Sequence, residues 1–512
     1  MVDGNLAYKY QEVSEEIDYS ILPDPVKHTS VSLTDIFNNK LRLEANAFNL
    51  EAKVAKEKVL ANKYGVVNLW SPEGLVDTAF HRPRFKRIYV DHAEIPFFQP
   101  SSITEVYPKP ARYISAKTDV DLKSLKVEKG MLLMTVSGTI GKVAIAGKKL
   151  DQQVFSHDLL RLKGKGSYDT GFIYTYFLTE TGQHILQSNN YGAVIKHIEP
   201  EHLHNIIIPN APEALKRRIH NLVIESYELR DQSNDLIDEA ENILIQELQL
   251  PSIENLQVDH FDNLVELRNY SVKLSELSVR LDGSYHVSEA KSIIDILNQS
   301  ANEVTFIGDN KISSEVLHPN RFKRVYASAD NGVPFFGGKN LLDLNPTSGK
   351  YLALAQHEET INNELRVKEN SLIVTRSGTI GKVALVPKHW HDWIGSDDLL
   401  RIYPFSRELA GYIFCWLNSP YGSLLLNRNV YGSVVDHIEV EHLERTEIPL
   451  LKNQNKQNEI NKLVLKANDL RHQAHLKEQQ SIKEMEDILN NKNESYLPIA
   501  AEPEGEYKSG KK

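Results

Sequence analysis

The sequence predicts a mixed α/β (α+β) chain made by internal duplication, pseudo-twofold symmetric, with two related domains separated by a long antiparallel two-helix coiled coil. Three observations predict it: a set of landmarks that recurs in order at one spacing, a long heptad-like seam after each copy, and short strand and helix patterns between the landmarks.

The recurrence is read by comparing the chain with itself. Arg42-Leu43-Glu44 returns as Arg280-Leu281-Asp282, and Glu51-Ala52-Lys53 as Glu289-Ala290-Lys291. RFKRIY from Arg84 returns as RFKRVY from Arg321, and Ile95-Pro96-Phe97-Phe98 as Val333-Pro334-Phe335-Phe336. SGTIGKVA from Ser137 returns unchanged from Ser377, and Asp158-Leu159-Leu160-Arg161 as Asp398-Leu399-Leu400-Arg401. YGAVIKHIEPEHL from Tyr191 returns as YGSVVDHIEVEHL from Tyr431. Every offset lies between 237 and 240, so the order and the spacing both survive.

A helical segment follows each copy. Leu215, Ile219, Leu222, Ser226, Leu229, Ser233, Leu236, Ala240 and Ile243 alternate in steps of four and three, as do Ile460, Leu463, Ala467, Leu470 and Ala474. The second seam weakens beyond Lys477 and resumes near Ile482, Met485 and Leu489. Small residues in a seam suit closely packed helices. Either the two helices pair antiparallel or each lies on its own domain; the pair is the preferred reading. At 1.5 Å per residue, about 35 residues make a rod of roughly 50 Å, which would hold two heads apart.

Within each copy, MLLMTV before Ser137 and VAIAG after Lys142 read as strands joined by the Ser-Gly-Thr-Ile-Gly turn. SLIVT and VALV do the same around the second turn. TGFIYTYFLTETGQHILQ and AGYIFCWLNSPYGSLLL read as helices.

Composition bounds the function. Of 512 residues, 41% are hydrophobic and 25% charged, ordinary for a soluble globular chain. No run approaches the roughly 18 apolar residues that span a bilayer. The acidic N-terminus lacks the layout of a signal peptide. The lone Cys415 excludes an intrachain disulfide and a Cys-rich zinc site. These features fit the cytoplasm, with no membrane partner. The net charge of −10 argues against a generic polyanion binder, but it is unevenly spread. Residues 35–205 hold 23 basic and 18 acidic groups, residues 275–448 hold 17 and 22, and the segment 206–274 holds 6 and 13.

The motifs that tempt a catalytic reading do not sustain it. GTIGK has two residues between its glycines where a phosphate-binding P-loop has four, and Val143 and Val383 follow the lysines where Ser or Thr is needed. A tight hairpin with positive-φ glycines is the plain reading. Ser137, Thr139 and Lys142, with Ser377, Thr379 and Lys382, could then face a nucleic-acid backbone. The pairs His197/His202 and His437/His442 sit five apart with no third ligand cluster, so a strand-to-helix junction in which His caps or packs is favoured over DNA contact by His197 and His437, and over metal. His157-Asp158 becomes Asp397-Asp398 in the second copy, which suits a structural or electrostatic role better than a general base.

The clearest phosphate-contact candidates are Arg84, Lys86 and Arg87, with Arg321, Lys323 and Arg324, the alternative being a solvated basic edge; alternation along a strand would put Arg84 and Lys86 on one face. Asn189 and Asn429 could pair with adenine or simply form a turn, beside Tyr191 and Tyr431. Val136 becomes Arg376, Ser188 becomes Arg428 and Lys196 becomes Asp436, differences expected where a reader is retuned. There is no Asn-Pro-Pro-Tyr-like methyltransferase tetrapeptide, no glycine loop for S-adenosylmethionine, no helicase P-loop and no nuclease carboxylate–lysine cluster.

The ordered combination, covering roughly residues 30–490, resembles the specificity (S) subunit of Type I restriction–modification systems. The resemblance implies an N-terminal arm (1–34), target recognition domain 1 (35–208), a central spacer helix (209–250), a linker (251–274), target recognition domain 2 (275–450), a C-terminal spacer helix (451–492) and a disordered tail (493–512). It implies no catalysis and no cofactor in this chain. It further implies a bipartite double-stranded DNA target, two adenine methyltransferase (M) subunits using S-adenosylmethionine, restriction (R) subunits using ATP and Mg, and a role in phage defence. The helices, through Leu215, Ile219, Leu222, Leu229, Leu236, Ile243, Ile460, Leu463 and Leu470, would set the spacing and dock the M subunits. Two competing readings remain: a coiled-coil adaptor that binds proteins only, and an enzyme with its own active site.

Overall fold

The structure, a computed structural model, describes residues 30–38, 48–90, 94–189, 197–256, 272–277, 280–347, 349–353, 358–432 and 436–492. Most of the N-terminal arm, most of the linker and the C-terminal tail lie outside them.

Helices α1 (Leu33–Asn38) and α2 (Leu50–Leu60) precede the first head. Its strands are β1 (Val66–Asn68), β2 (Val76–Phe80), β3 (Tyr89–Val90), β4 (Ile95–Phe98), β5 (Arg112–Ile114), β6 (Leu132–Thr135), β7 (Val143–Ile145), β8 (Val154–Phe155), β9 (Leu159–Gly164) and β10 (Ile207–Pro209). Helices α3 (Asp169–Leu178) and α4 (Glu180–Ser188) lie between β9 and β10, and α5 (Glu213–Glu247) follows.

The second half opens with α6 (Ser288–Ser300). Its strands are β11 (Glu303–Phe306), β12 (Ser313–Leu317), β13 (Tyr326–Ala327), β14 (Gly332–Phe336), β15 (Tyr351–Ala353), β16 (Leu372–Thr375), β17 (Val383–Leu385), β18 (Ile394–Gly395), β19 (Leu399–Pro404) and β20 (Glu447–Leu450). Helix α7 (Glu358–Thr360) follows β15, and α8 (Arg407–Asn418), α9 (Pro420–Asn427) and α10 (Val440–Glu444) lie between β19 and β20. Helix α11 (Gln454–Leu489) ends the described chain.

The two halves share one topology. The sheets β2-β9-β6-β7 and β3-β5-β4-β8 recur as β12-β19-β16-β17 and β13-β15-β14-β18, and β1-β10 recurs as β11-β20. Only β4–β8 and β14–β18 pair in parallel among these strands. The central strand β6 is buried at all four positions, which period-two alternation explains. Leu132 and Met134 pack towards α3, whereas Leu133 packs with Phe98 and Phe155 of the neighbouring sheet. Each head is thus a helix layer with two four-stranded sheets and one two-stranded sheet.

The DLLR arginine is the staple between those layers. Arg161 and Arg401 are fully buried without a carboxylate. Arg161 donates to the carbonyls of Leu159 and Leu125, at 3.0 and 2.9 Å. Arg401 donates to those of Gly395, Leu365 and Ser396, at 2.8, 3.3 and 3.2 Å. Burial lowers both guanidinium pKa values to about 10, which still leaves them charged at neutral pH.

The helical stretches expected as single units break in two. Thr179 and Ser419 interrupt them, and each side chain caps the next helix by accepting from Gly182 N and Gly422 N at 3.1 Å. In the second copy Pro420 supplies a further reason for the break.

Helices α5 and α11 pack antiparallel. Ser226 Oγ donates to the Ala474 carbonyl at 2.8 Å and Ser233 Oγ to that of Ala467 at 2.9 Å. Arg218 pairs with Glu484 at 2.9 Å and Glu225 with Lys477 at 2.7 Å. Ser226 is the duplication equivalent of Ala467, and Ser233 of Ala474, so a pseudo-twofold axis crosses the pair near Arg230 and Arg471.

The seam differs from a simple heptad. Ile219, Leu222, Ser226, Ser233 and Ala240 are buried as expected, but so are Val223, Tyr227, Arg230, Asn234, Ile237 and Leu244 on an adjoining face. Leu215, Leu229, Leu236, Ile243, Leu463 and Leu470 are only half-buried. The reason is that each helix packs against the heads as well as against its partner. The first head's core takes in Ile219, Val223 and Tyr227 together with Met485, Ile488 and Leu489. The second takes in Ile237, Ala240 and Leu244 together with Ile460, Val464 and Ala467. Gly171 and Gly411 permit this approach: a Cβ at either would lie 2.7 Å from His220 Cα or 2.6 Å from the Asn461 carbonyl oxygen.

The heads also touch each other, a contact the rod expectation did not contain. Val106 N donates to Leu342 O at 2.8 Å, and Leu344 N to Thr104 O at 2.7 Å. The bridge centres on Glu105 and Asp343, which are equivalent positions of the duplication. Lys142 of the first hairpin pairs with Asp343 of the second head at 2.7 Å. Its counterpart Lys382 lowers the pKa of Glu105, against a larger upward push from burial.

Two outcomes are expected. The Arg230–Glu478 pair at 2.9 Å is almost wholly buried and also receives the Tyr174 hydroxyl. Glu478→Ala strands the guanidinium and should cost about 3–5 kcal/mol, whereas Arg230→Met with Glu478→Met should cost much less, read from urea-unfolding midpoints. Lys142→Asp should widen the separation of spin labels placed on the two heads, and adding Asp343→Lys should restore it.

Candidate nucleic-acid interface

The SGTIGK loop is a hairpin turn in both heads. It joins β6 to β7 and β16 to β17, with Gly138, Gly141, Gly378 and Gly381 all at φ between 71° and 84°. Thr135 and Thr375, in the strands before it, lock the turn: each hydroxyl donates to the carbonyl of Thr139 or Thr379 and accepts from the amide of Lys142 or Lys382. Ser137 and Ser377 form bridges to His197 and His437, so the two most conspicuous repeated motifs meet in space.

The hairpin polar groups are partly spent inside the protein. The Ser377 hydroxyl donates to Asp398, and Lys142 is committed to Asp343. Both hairpin lysines, with Lys339, Thr139 and Ser137, line a cleft of about 510 Å³ between the heads.

His202 and His442 cap. Each Nδ1 accepts from the backbone amide three residues earlier, Glu199 N at 3.0 Å and Glu439 N at 3.1 Å. Tyr431 packs at a tilt against His437 and His442, with ring centroids 4.2 and 4.8 Å away. Among the described residues no cluster of three or more His, Cys, Asp or Glu is placed to hold a metal ion.

Several candidates point inward. Asn189 is the C-cap of α4 and Asn429 follows the C-cap of α9; both are nearly fully buried, and their Nδ2 groups donate to Ile185 O at 2.8 Å and Leu425 O at 2.9 Å. The turn alternative therefore replaces the adenine one. Arg428 is half-buried, paired with Glu447 and lying 4.7 Å over the Tyr285 ring. It closes the second head's core and does not present a base-reading group. Arg376 spans Glu439 and Asp398, so its charge is met internally. Tyr191 and Lys196 lie outside the described residues.

The RFKR segments remain outward. They are not strands: residues 81–88 run extended without ladder pairing and join β3 only at Tyr89. The alternation still holds in exposure. Arg84 and Lys86 are exposed with Phe85 turned inward, and Arg321 and Lys323 are exposed around Phe322. Lys86, Arg321 and Lys323 have no ion-pair partner among the described residues. Arg112 stacks over Tyr89 at 5.0 Å and extends the basic face of the first head. The sequence reading missed it because β5 lies between the repeated motifs and belongs to none of them.

The third cation distinguishes the heads. Arg87 lies over Phe97 and Phe85, 5.5 and 5.6 Å from the ring centroids, and donates to Ser156 Oγ at 3.0 Å. Its other partner is His157, with Nδ1 3.0 Å away, and Arg84 approaches the Nε2 of the same ring at 3.5 Å. Burial, then Arg87 and Arg84, lower the His157 pKa against the raising effect of Asp158, so the ring is neutral at pH 7. In the second head Arg324 repeats the contacts to Phe335 and Ser396, but its remaining partner is Asp397 at 2.6 Å. One histidine-to-aspartate difference therefore leaves three uncompensated cations in one head and two in the other.

No protein-family model matches the chain. No curated protein matches it either. Among solved structures it is similar to the S subunit of a Type I restriction-modification system from M. genitalium, with a TM-score of 0.33 and 12% identity over 84% of this chain and 96% of that one. It is also similar to a structure concerned with complex assembly and conformational transition of the type I R-M system, with a TM-score of 0.26 and 12% identity over 82% and 99%. A third is the HsdS subunit from Thermoanaerobacter tengcongensis, with a TM-score of 0.25 and 11% identity over 82% and 99%. The structural neighbours named here are thus Type I restriction–modification proteins.

Proposed function

We propose that this chain is a noncatalytic DNA sequence-specificity subunit of a Type I restriction–modification complex. Each head reads one half of a bipartite target. The helix pair fixes the relation between the halves and docks two adenine methyltransferase subunits, with restriction subunits joining the assembly. Catalysis, S-adenosylmethionine, ATP and Mg belong to those partners.

The observation that carries this reading is the pseudo-twofold placement of two equivalent exposed RFKR segments, each backed by aromatic rings. Double-stranded DNA has its own local twofold symmetry, and a two-headed protein matches it at half-sites separated by about one helical turn, roughly 34–36 Å, or a multiple. Arg and Lys on such a face position the protein on phosphates, while base edges supply the discrimination. The heads are related but not identical in their polar groups, which supports half-sites of different sequence.

Charge places more of the phosphate binding on the first head. His157→Asp should pair Arg87 as Arg324 is paired, weaken binding of a target duplex in the assembled complex, and flatten the salt dependence of log K by about one unit of slope. Asp397→His should act in the opposite direction. Fluorescence anisotropy between about 50 and 200 mM salt reads both.

The decisive experiment is methylome sequencing of cells expressing the chain with its methyltransferase partner. A split adenine-methylated motif is expected. Substitution of the Arg321, Lys323 and Arg324 cluster should reduce methylation at the same motif without creating a new one. Uniform modification of all sites, or no motif with an active partner present, would favour the protein-only adaptor.

A further inference from the structure

The pseudo-twofold axis passes close to Arg230 and its duplication equivalent Arg471, yet these two arginines have opposite fates. Arg230 is paired with Glu478, and Glu478 is held by the Tyr174 hydroxyl. At the equivalent positions around Arg471 the carboxylate is replaced by Ile237 and the tyrosine by Phe414. The guanidinium has been kept and both of its partners are gone.

The space has changed with it. Beside Arg230 on the first head's side there is a pocket of about 30 Å³. On the second head's side lies a cavity of about 560 Å³, lined by both long helices and both heads. Arg471, Ile237 and Phe414 all form its wall, and the already paired Arg230 reaches it too. Arg471 has no carboxylate partner among the described residues, and its Nε is buried without a hydrogen bond. Around it, His389 Nδ1, His472 Nδ1 and Trp390 Nε1 are also buried and unbonded. His389 stacks on His475 at 4.1 Å and on His472 at 5.5 Å. The acids that line the cavity, Glu105 and Glu241, have pKa values raised chiefly by burial.

A buried cation without a partner is costly, and so is each buried donor left unbonded. One ligand would satisfy several of them. A guanidinium fork matches the two oxygens of a carboxylate or phosphate, and Ile237, Phe414, Leu417 and Trp390 offer an apolar wall for the remainder. The volume lies within the roughly 300–1,000 Å³ common for small-molecule sites.

We propose that this cavity binds a small organic oxyanion, a carboxylate or phosphate carried on a flat apolar body, with Arg471 receiving the oxyanion. The ligand bridges the Gln99–Ala111 loop of the first head, the β16–β17 hairpin of the second, and both long helices. It therefore ties the position of the heads to the presence of a metabolite-sized anion. This site does not depend on the DNA-reading assignment.

The test uses the full chain and two probes, adenosine 5′-monophosphate and 1-naphthoate, with adenosine and 1-naphthalenemethanol as uncharged controls, in isothermal titration calorimetry and thermal melting. At least one anion should bind one to one and raise the melting temperature, and its uncharged control should bind at least tenfold more weakly. Arg471→Met should lower the anion's affinity at least tenfold while leaving the ligand-free melting temperature unchanged or higher, because it removes an unpaired buried charge. Arg471→Lys keeps the charge but loses the fork and should also bind at least tenfold more weakly. Binding of neither anion, or equal binding by Arg471→Lys, overturns the proposal. So does a clear fall in the ligand-free melting temperature of Arg471→Met, which would make the arginine a folding element.

Discussion

Close packing of two antiparallel helices across Ser226, Ser233, Ala467 and Ala474 is the constraint on which the other features depend. Small side chains let the backbones approach, and the two serine hydroxyls bond to opposite carbonyls instead of to solvent. Because the four positions are duplication equivalents in pairs, the contact is its own mirror under the pseudo-twofold. Once it forms, every other element has its place relative to the axis. Each head then completes its core with the start of its own helix and the end of the other. The heads are therefore not beads on a rod. Neither core closes without both helices.

Symmetry of the scaffold makes the departures from it informative. A duplicated chain begins with two equal sites, and a difference at equivalent positions is a local change in chemistry against a fixed geometric background. Arg87 and Arg324 share aromatic and serine contacts, so the exchange of His157 for Asp397 changes charge and little else. Arg230 and Arg471 share the helix position, so the exchange of Glu478 for Ile237 changes both charge and space. In each case the arginine stays and its partner changes, which locates the asymmetry in the second residue of the pair. The surplus of acid in the second half follows the same logic: Arg324, Arg376 and Arg428 are all answered internally.

The duplication, the hairpins and the helix pairing were legible in the sequence because each leaves a local mark. Gly138 and Gly141 announce a turn that needs positive φ, and Ser226 and Ser233 sit at heptad spacing. Part of the seam is only half-buried for a physical reason. A helix buried on two adjoining faces carries a broad apolar surface, so a period of three and four picks out only one of them, and Val223, Tyr227 and Ile237 fall outside it. Polar residues were harder. Asn189, Asn429 and Arg428 have the side chains of a DNA reader, but helix ends and buried pairs need the same groups. The bridge between Glu105 and Asp343 left no mark, since a backbone contact in an irregular loop has no periodicity. Sheet order was equally hidden, because pairing partners such as β2 and β9 lie far apart in the chain.

The antiparallel arrangement also explains why a two-headed chain suits a split target better than two separate domains would. Independent heads on a flexible tether sample many separations, and each must be selected on binding. Here the helix pair and the bridge at Glu105 and Asp343 remove that freedom before any ligand arrives. Under the proposed function, spacing would then be a property of the protein's core and not of its DNA-facing residues. A change of side chains on one RFKR face would alter affinity at one half-site and leave the spacer intact. A change of length in α5 or α11 would do the reverse, because adding residues to a helix rotates and translates one head about the axis while leaving its surface chemistry unaltered.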